Sequence, residues 1–297
     1  MKIPFVTVDV FTDRKFGGNP LAVVPDAQGL STEQMQAIAA EFNLAETTFV
    51  LPPEDPAHTA HVRIFTPKSE MPFAGHPNVG TAFVLAHLGK AAGDRFVFEE
   101  KAGLVPLDIT RENGRVVATR LAAPKQLSLG ETIAPEIVAS AVGLSAADIV
   151  RPPVLASTGV TFVFAELASR AVLKAATYNT DVFVKHLPMD RAVGIHLYVP
   201  AKEEGVEIQT RMFAPLYGVP EDPATGGANV TLIGLLAHLD PRPDLTLSKT
   251  IGQGFDMGRP SILEASAEKK AGKVVATYIG GRCVPMMSGT IEIDRAR

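Results

Sequence analysis

The sequence predicts an α+β protein of two related halves, each a mainly β layer packed on a central apolar helix. Three observations carry this. Arg-Ile-Phe-Thr-Pro at 63–67 returns as Arg-Met-Phe-Ala-Pro at 211–215. Each copy is followed by a Gly-led apolar segment, GHPNVGTAFVLAHL at 75–88 and GGANVTLIGLLAHL at 226–239, and seven of the 14 positions are identical. The stretches around these segments alternate apolar and polar residues with the period of strands. A helix that is apolar almost all round is a buried one, and two copies are too few for a solenoid. The repeat therefore reads as two domains facing each other across a cleft, 1–122 and 123–297, with a last strand-like run at 289–293 that closes either half.

Individual elements follow in order. Val6, Val8 and Val10 alternate with Thr7 and Asp9, and 21–24 is a short apolar run, so both read as strands. Ser31 is positioned to cap a helix with Gln34 three residues on, and Met35, Ile38, Ala39 and Phe42 then share one face until Asn43. Strand patterns resume at 47–51 and 62–65, which places Glu46 at a helix-to-strand junction. Val105, Leu107 and Ile109 alternate toward Asn113-Gly114, a hairpin signal, and 116–119 returns.

Composition sets limits. Of 297 residues, 46% are hydrophobic and 20% charged, enough for a sizeable core. Lys and Arg total 28 against 32 Asp and Glu, which argues against nucleic acid or an anionic membrane as partner. The segment 1–11 alternates like a strand and lacks the unbroken apolar run of an export signal. No stretch approaches a membrane span. The one cysteine, Cys283, excludes an intrachain disulfide and a two-thiol epimerase, and makes the reducing cytoplasm the expected compartment.

Three residues are candidates for chemistry: Glu46, His76 and Asp222. His76 lies in the Gly75-His76-Pro77 loop and Asp222 in the corresponding loop of the second half, so facing halves bring the two together, and Glu46 completes the set. Proton transfer at carbon needs one group with a pKa near the working pH. It also needs donors for the charge that develops, which the N-termini of two buried helices supply. Against each stands a plainer reading: a solvated Glu at a helix end, a capping His, an Asp-Pro turn. The repeat that pairs His76 with Asp222 raises both above it. Other features carry less. His58 and His61 lack a third metal ligand, and His87 and His238 read as structural. Gly252-Gln253-Gly254 with Gly258 misses the dinucleotide-loop spacing, no GxSxG elbow is present, and Cys283 reads as a packed small hydrophobe.

Several motifs in order resemble one family. They are Gly18-Asn19-Pro20 before Leu-Ala-Val-Val, Asn43-Leu44-Ala45-Glu46-Thr47, the 63–67 segment leading to Pro72-Phe73-Ala74-Gly75-His76-Pro77, EDPATG at 221–226, and Gly258-Arg259-Pro260-Ser261. Over nearly its whole length the chain is similar to the phenazine-biosynthesis PhzF-like family. The resemblance implies a diaminopimelate-epimerase-like fold, two similar domains of barrel-like, mainly antiparallel sheet around a helix. It implies a homodimer with no cofactor, acting on a small carboxylate-bearing substrate; the member that names the family isomerises trans-2,3-dihydro-3-hydroxyanthranilate. It makes Glu46 the acid/base, with His76 and Asp222 assisting, and assigns substrate contacts to Asn19, Gly75, Pro77, Thr225, Gly226 and Gly227. Where the phenazine isomerase carries Ser, this chain has Ala45 and Gly227, which removes two hydroxyl donors. The expected function is a cofactor-independent isomerase; the alternatives are an epimerase or racemase of a small acid, and a non-catalytic ligand-binding or interaction protein.

Overall fold

The computed structural model describes residues 1–293 except Met189 and Glu203. The chain forms two compact units, Met1–Pro124 with the chain from Gly280 onward, and Lys125–Ile279. Each has the α+β architecture expected from the repeat.

The first unit runs β1 (Lys2–Val10), β2 (Asn19–Val24), α1 (Thr32–Phe42), β3 (Glu46–Leu51), β4 (Ala60–Phe65), β5 (Glu70–Met71), α2 (Gly75–His87), β6 (Arg95–Glu100), β7 (Gly103–Glu112) and β8 (Arg115–Ala122). Neighbours pair antiparallel, except that β2–β3 and β4–β6 are parallel, each joined through a helix. Helix α1 begins as its sequence dictates. The Ser31 side chain accepts from the Gln34 N–H at 3.2 Å and the Gln34 side chain accepts from the Ser31 N–H at 3.0 Å. It ends at Asn43, which turns left-handed (φ 50°), a conformation its short polar side chain tolerates. Met35, Ile38 and Ala39 bury against Val24, Phe49 and Phe65. The β7–β8 hairpin turns at Asn113 (φ 50°) and Gly114 (φ 75°), the two positive φ values that a two-residue hairpin loop needs.

The second unit runs β9 (Ser128–Thr132), α3 (Pro135–Ala141), β10 (Val154–Ser157), β11 (Thr161–Glu166), α4 (Arg170–Ala175), α5 (Thr180–His186), β12 (Ile195–Pro200), β13 (Ile208–Ala214), β14 (Val219–Asp222), α6 (Gly226–Leu239), β15 (Leu245–Gln253) and β16 (Ser261–Lys270). The pairings repeat those of the first unit: β10–β11 antiparallel, β11–β12 parallel, β12–β13 antiparallel, β13–β15 parallel and β15–β16 antiparallel. Strand β17 (Lys273–Glu292) starts in this unit and continues from Gly280 in the first. There it pairs antiparallel with β1, from Lys2 opposite Glu292 to Val10 opposite Cys283.

Helices α2 and α6 are buried along nearly their whole length, α2 against β1, β2 and β8 and α6 against β15, β16 and β10. Neither is long and apolar enough to cross a membrane, nor is any other helix among the described residues. The approach of α2 to its sheet is limiting at Gly80, where an added Cβ would lie 2.6 Å from Leu21 Cδ2 and 2.7 Å from Val10 Cγ2. Gly80→Val is therefore expected to cost about 1–3 kcal/mol of stability in denaturant unfolding. Gly227→Ala, whose Cβ meets nothing closer than the Phe162 ring at 3.8 Å, is expected to stay within about 1 kcal/mol of the parent.

Candidate active site

The first unit brings two of the three expected catalytic residues together. Glu46 opens β3, His76 is the second residue of α2, and His76 Nε2 stands 3.5 Å from Glu46 Oε2 with side-chain exposures of 5% and 16%. The two elements are fixed to each other by a 2.8 Å hydrogen bond between the Thr48 and Thr81 hydroxyls. His76 also bonds the Pro20 backbone. Proline has no N–H, so the ring is the donor; because Nε2 faces Glu46 without a hydrogen-bond partner, the donor is Nδ1. Burial lowers the His76 pKa to about 3, against the opposing effect of that bond. The ring is thus neutral near pH 7, with its Nε2 lone pair directed at the carboxyl. Asn19 opens β2 beside Pro20 and is buried, as are Gly75 and Pro77 in the first turn of α2.

The second unit carries the other loop. Asp222 ends β14 and is buried. Its Oδ2 accepts from the Thr225 hydroxyl at 2.6 Å. Gln253, at the end of β15, holds this loop from beneath. Its Nε2 donates to the Asp222 carbonyl (2.7 Å) and to Thr225 Oγ1 (2.9 Å), while its Oε1 accepts from the Thr225 N–H (3.1 Å) and Asn229 Nδ2 (2.7 Å). Gly226 and Gly227 begin α6. Neither α2 nor α6 has a side-chain cap or an acidic residue in its first turn, so the carboxyls beside these helix ends, Glu46 and Asp222, come from the strands that precede them rather than from the helices.

Beneath both loops lies a brace that the sequence repeat contained but whose purpose it did not reveal. Arg63 grips Glu70 through two 2.8 Å bonds and stacks 5.1 Å above the Phe65 ring. Arg211 grips Glu221 at 2.7 and 2.9 Å and stacks 4.8 Å above Phe213. Arg211 also donates to the carbonyls of Leu173, Lys174 and Ala176. The strands thus pinned, β5 and β14, lead straight into the glycine-led helices. Gln253 was set aside as part of an imperfect dinucleotide loop; the signal that marks it is the repeat of parallel pairing, visible only in three dimensions.

His58, His87 and the cysteine behave as packing or surface groups, whereas His196 is buried with its Nε2 3.2 Å from Asn229 Oδ1. His58 bonds Glu99 at 2.8 Å, and His87 stacks on Phe83. Cys283 is buried, and burial pushes its thiol up to about 12. No group of metal-ligating side chains occurs among the described residues.

Residues 8–289 match the family model described as phenazine biosynthesis-like protein. The chain belongs to this family. It is 37% identical over 295 residues to the trans-2,3-dihydro-3-hydroxyanthranilate isomerase of Pseudomonas chlororaphis, covering 97% of this chain and 99% of that protein. Among solved structures, a PhzF-family phenazine biosynthesis protein of Bacillus anthracis superposes with a TM-score of 0.89 at 27% identity, covering 99% of this chain and 100% of that one. A predicted epimerase of Pseudomonas aeruginosa follows with a TM-score of 0.81 at 27% identity, covering 98% and 100%. Like its named PhzF-family relatives, the chain is an isomerase.

Removing Arg211 leaves Glu221, at 16% side-chain exposure, without its cation and three carbonyls without their donor. Arg211→Ala is expected to lower stability by about 3–5 kcal/mol in denaturant unfolding, and Arg211→Lys to recover only part of it, since an ammonium offers no fork to a carboxylate.

Proposed function

We propose that this isomerase moves a proton on a small, carboxylate-bearing, unsaturated substrate without a cofactor, with Glu46 as the acid and base. The observation that carries this is the contact between Glu46 and a neutral His76. A ring that donates from Nδ1 to Pro20 offers the carboxyl an acceptor and no cation. Glu46 as an acid thus has a partner for its proton, and as a base meets no imidazolium at His76. It takes the proton from a carbon next to the unsaturated system and returns it at another carbon. His76 keeps the carboxyl oriented, and Asp222, on the counterpart loop, assists. The uncapped N-termini of α2 and α6 are suited to a substrate carboxylate and to the charge that develops on proton removal. Contacts to substrate are assigned to Asn19, Gly75, Pro77, Thr225, Gly226 and Gly227.

One further feature bears on the choice between an isomerase with a single base and an epimerase with two, for which Asp222 would be the second. The repeat equates Phe65 with Phe213, and Thr47 lies opposite the first as Ile195 lies opposite the second. The counterpart of Glu46 is therefore Gly194, where a Cβ would sit 2.3 Å from the Phe213 carbonyl oxygen. No side chain fits there, so a second base equivalent to Glu46 is absent from the second unit's frame and Asp222 is the carboxyl that unit offers. Relatives named for trans-2,3-dihydro-3-hydroxyanthranilate make that compound the first substrate to try. Ala45 and Gly227 make a different ring substituent equally worth offering. We place the enzyme in the cytoplasm, in keeping with its single, buried thiol, and as a homodimer on the strength of the family resemblance.

The test is solvent exchange: the full chain in D₂O with a panel of small unsaturated and amino or hydroxy carboxylates, including that compound, followed by mass spectrometry and NMR. Deuterium uptake with double-bond migration is expected, reduced about a hundred- to ten-thousand-fold in Glu46→Gln. Full turnover by Glu46→Gln would remove Glu46 from its role. Uptake at a stereocentre without migration would make the enzyme an epimerase instead.

A further inference from the structure

The buried carboxyl of Glu100 has no part in the mechanism above, yet it occupies a defined place in the repeat. In the first unit β4 pairs with β6 so that His61 lies opposite Glu99; in the second, β13 pairs with β15 so that Gln209 lies opposite Gly252. Since residue 63 corresponds to 211, His61 corresponds to Gln209, and Glu100 corresponds to Gln253. The same register equates Met71, opposite Ile64, with Asp222, opposite Met212. The helices agree: Asn78 Nδ2 donates to the Ala74 carbonyl and Asn229 Nδ2 to the Thr225 carbonyl, both at 3.0 Å.

We propose that Glu100 is a positioning residue that works as a neutral carboxylic acid, the protonated counterpart of Gln253, and braces the first turn of the helix that carries His76. Gln253 succeeds in its place because an amide is donor and acceptor at once. It gives to a carbonyl and a hydroxyl and takes from a backbone N–H and an Asn amide. By the repeat, the groups that correspond to these partners are the backbone of Met71 and Ala74 and the amide of Asn78, and the Asn78 amide acts on Glu100. A carboxylate only accepts and has nothing for a carbonyl; a carboxylic acid has one O–H and one C=O, in nearly the outline of the amide.

The surroundings favour the acid. Both carboxyl oxygens are buried, and the Asn78 amide beside them is the polar group that acts on the carboxyl. The charged and titratable groups around it are Glu99 on its own strand, taken up by the Glu54 and Asp55 N–H groups and by His58, His61 and Arg63 on β4, Glu70 on β5, Lys101 after β6, and His76 on α2; β7 brings only Gly103, Leu104 and Val105 alongside. Arg63 and Lys101 are both engaged by Glu70, at 2.8 and 2.5 Å, and His76 is neutral. No ion pair to Glu100 forms among the described residues, and an unpaired buried carboxylate is costly. Burial accordingly raises its pKa to about 8, the Asn78 amide acting the other way.

The folded chain therefore keeps a proton on Glu100 over a range of pH in which the unfolded chain has lost it. Stability declines as pH rises through that range and levels off once the folded carboxyl has ionised. The experiment is ¹³C NMR of the full chain labelled at its Glu carboxyls, with Glu100 assigned by the signal missing from Glu100→Gln, and unfolding of both proteins and Glu100→Ala across pH. A resonance titrating near pH 8 is expected. The folding constant of the parent relative to Glu100→Gln should fall by up to about tenfold per pH unit between about pH 5 and 8. Glu100→Gln should be at least as stable as the parent at the upper end, and Glu100→Ala less stable than both. A Glu100 signal titrating in the ordinary carboxylate range, a ratio that does not change with pH, or Glu100→Gln as unstable as Glu100→Ala would overturn the proposal. Its bearing on catalysis rests on the isomerase mechanism proposed above. These measurements need no substrate, so they stand or fall separately from the exchange experiment on Glu46.

Discussion

Everything at the candidate site follows from wrapping a sheet around a helix that has no polar face. Helices α2 and α6 are buried along nearly their whole length, so neither can give its first N–H groups to solvent-facing side chains in the usual way. Each instead begins with glycine at the end of a short strand, with no side-chain cap. Buried polar groups in each first turn must then find partners beside them. Asn78 and Asn229 reach back to the preceding carbonyl, Gln253 ties together the second loop, and Arg63 and Arg211 pin the strands that deliver both loops. The catalytic candidates sit on this framework, and their positions are set by residues that touch no substrate.

Much of the fold was legible because two codes were written plainly. The repeat of 75–88 at 226–239 marked both central helices, and the Ser31–Gln34 pair and Asn113-Gly114 gave one helix start and one hairpin turn to the residue. Helices α3, α4 and α5 were not read, because each is only six or seven residues long and too short to show a face. They pack with one side of the second unit's sheet through Val138, Leu173 and Phe183, contacts made at long range. At the site, Glu46 and His76 were named from motif order, and the structure sets them side by side. The reason His76 is neutral could not be read, since it depends on burial, which only the packed fold creates; the bond of its ring to Pro20, far away in sequence, was equally hidden. Glu100 and Gln253 were invisible for a similar reason: their equivalence lives in strand register.

The two halves share a frame and have diverged in chemistry. Position by position, Glu46 faces a glycine, Glu100 a glutamine, Met71 an aspartate and Ala74 a threonine across the repeat. One half thus holds the ionisable pair, while the other holds a hydrogen-bonded loop whose hydroxyl and carboxyl are already joined at 2.6 Å. Such divergence is open to a duplicated frame because the shared load is carried by backbone pairing and the Arg–Glu braces, which leaves the loop side chains free to differ.

Strand β17 gives this frame an order of assembly. The first unit's β1 has Lys2–Val10 hydrogen-bonded to residues 283–292, a strand made after the whole of the second unit, whereas residues 125–279 form a unit contiguous in sequence. During synthesis the first unit, although begun before the second, keeps one side of β1 unpaired until residues 283–292 have emerged. The usual sequence, in which the N-terminal domain folds while the rest is still being made, is reversed here. The cell must shelter an exposed edge strand for the time it takes to translate the second half.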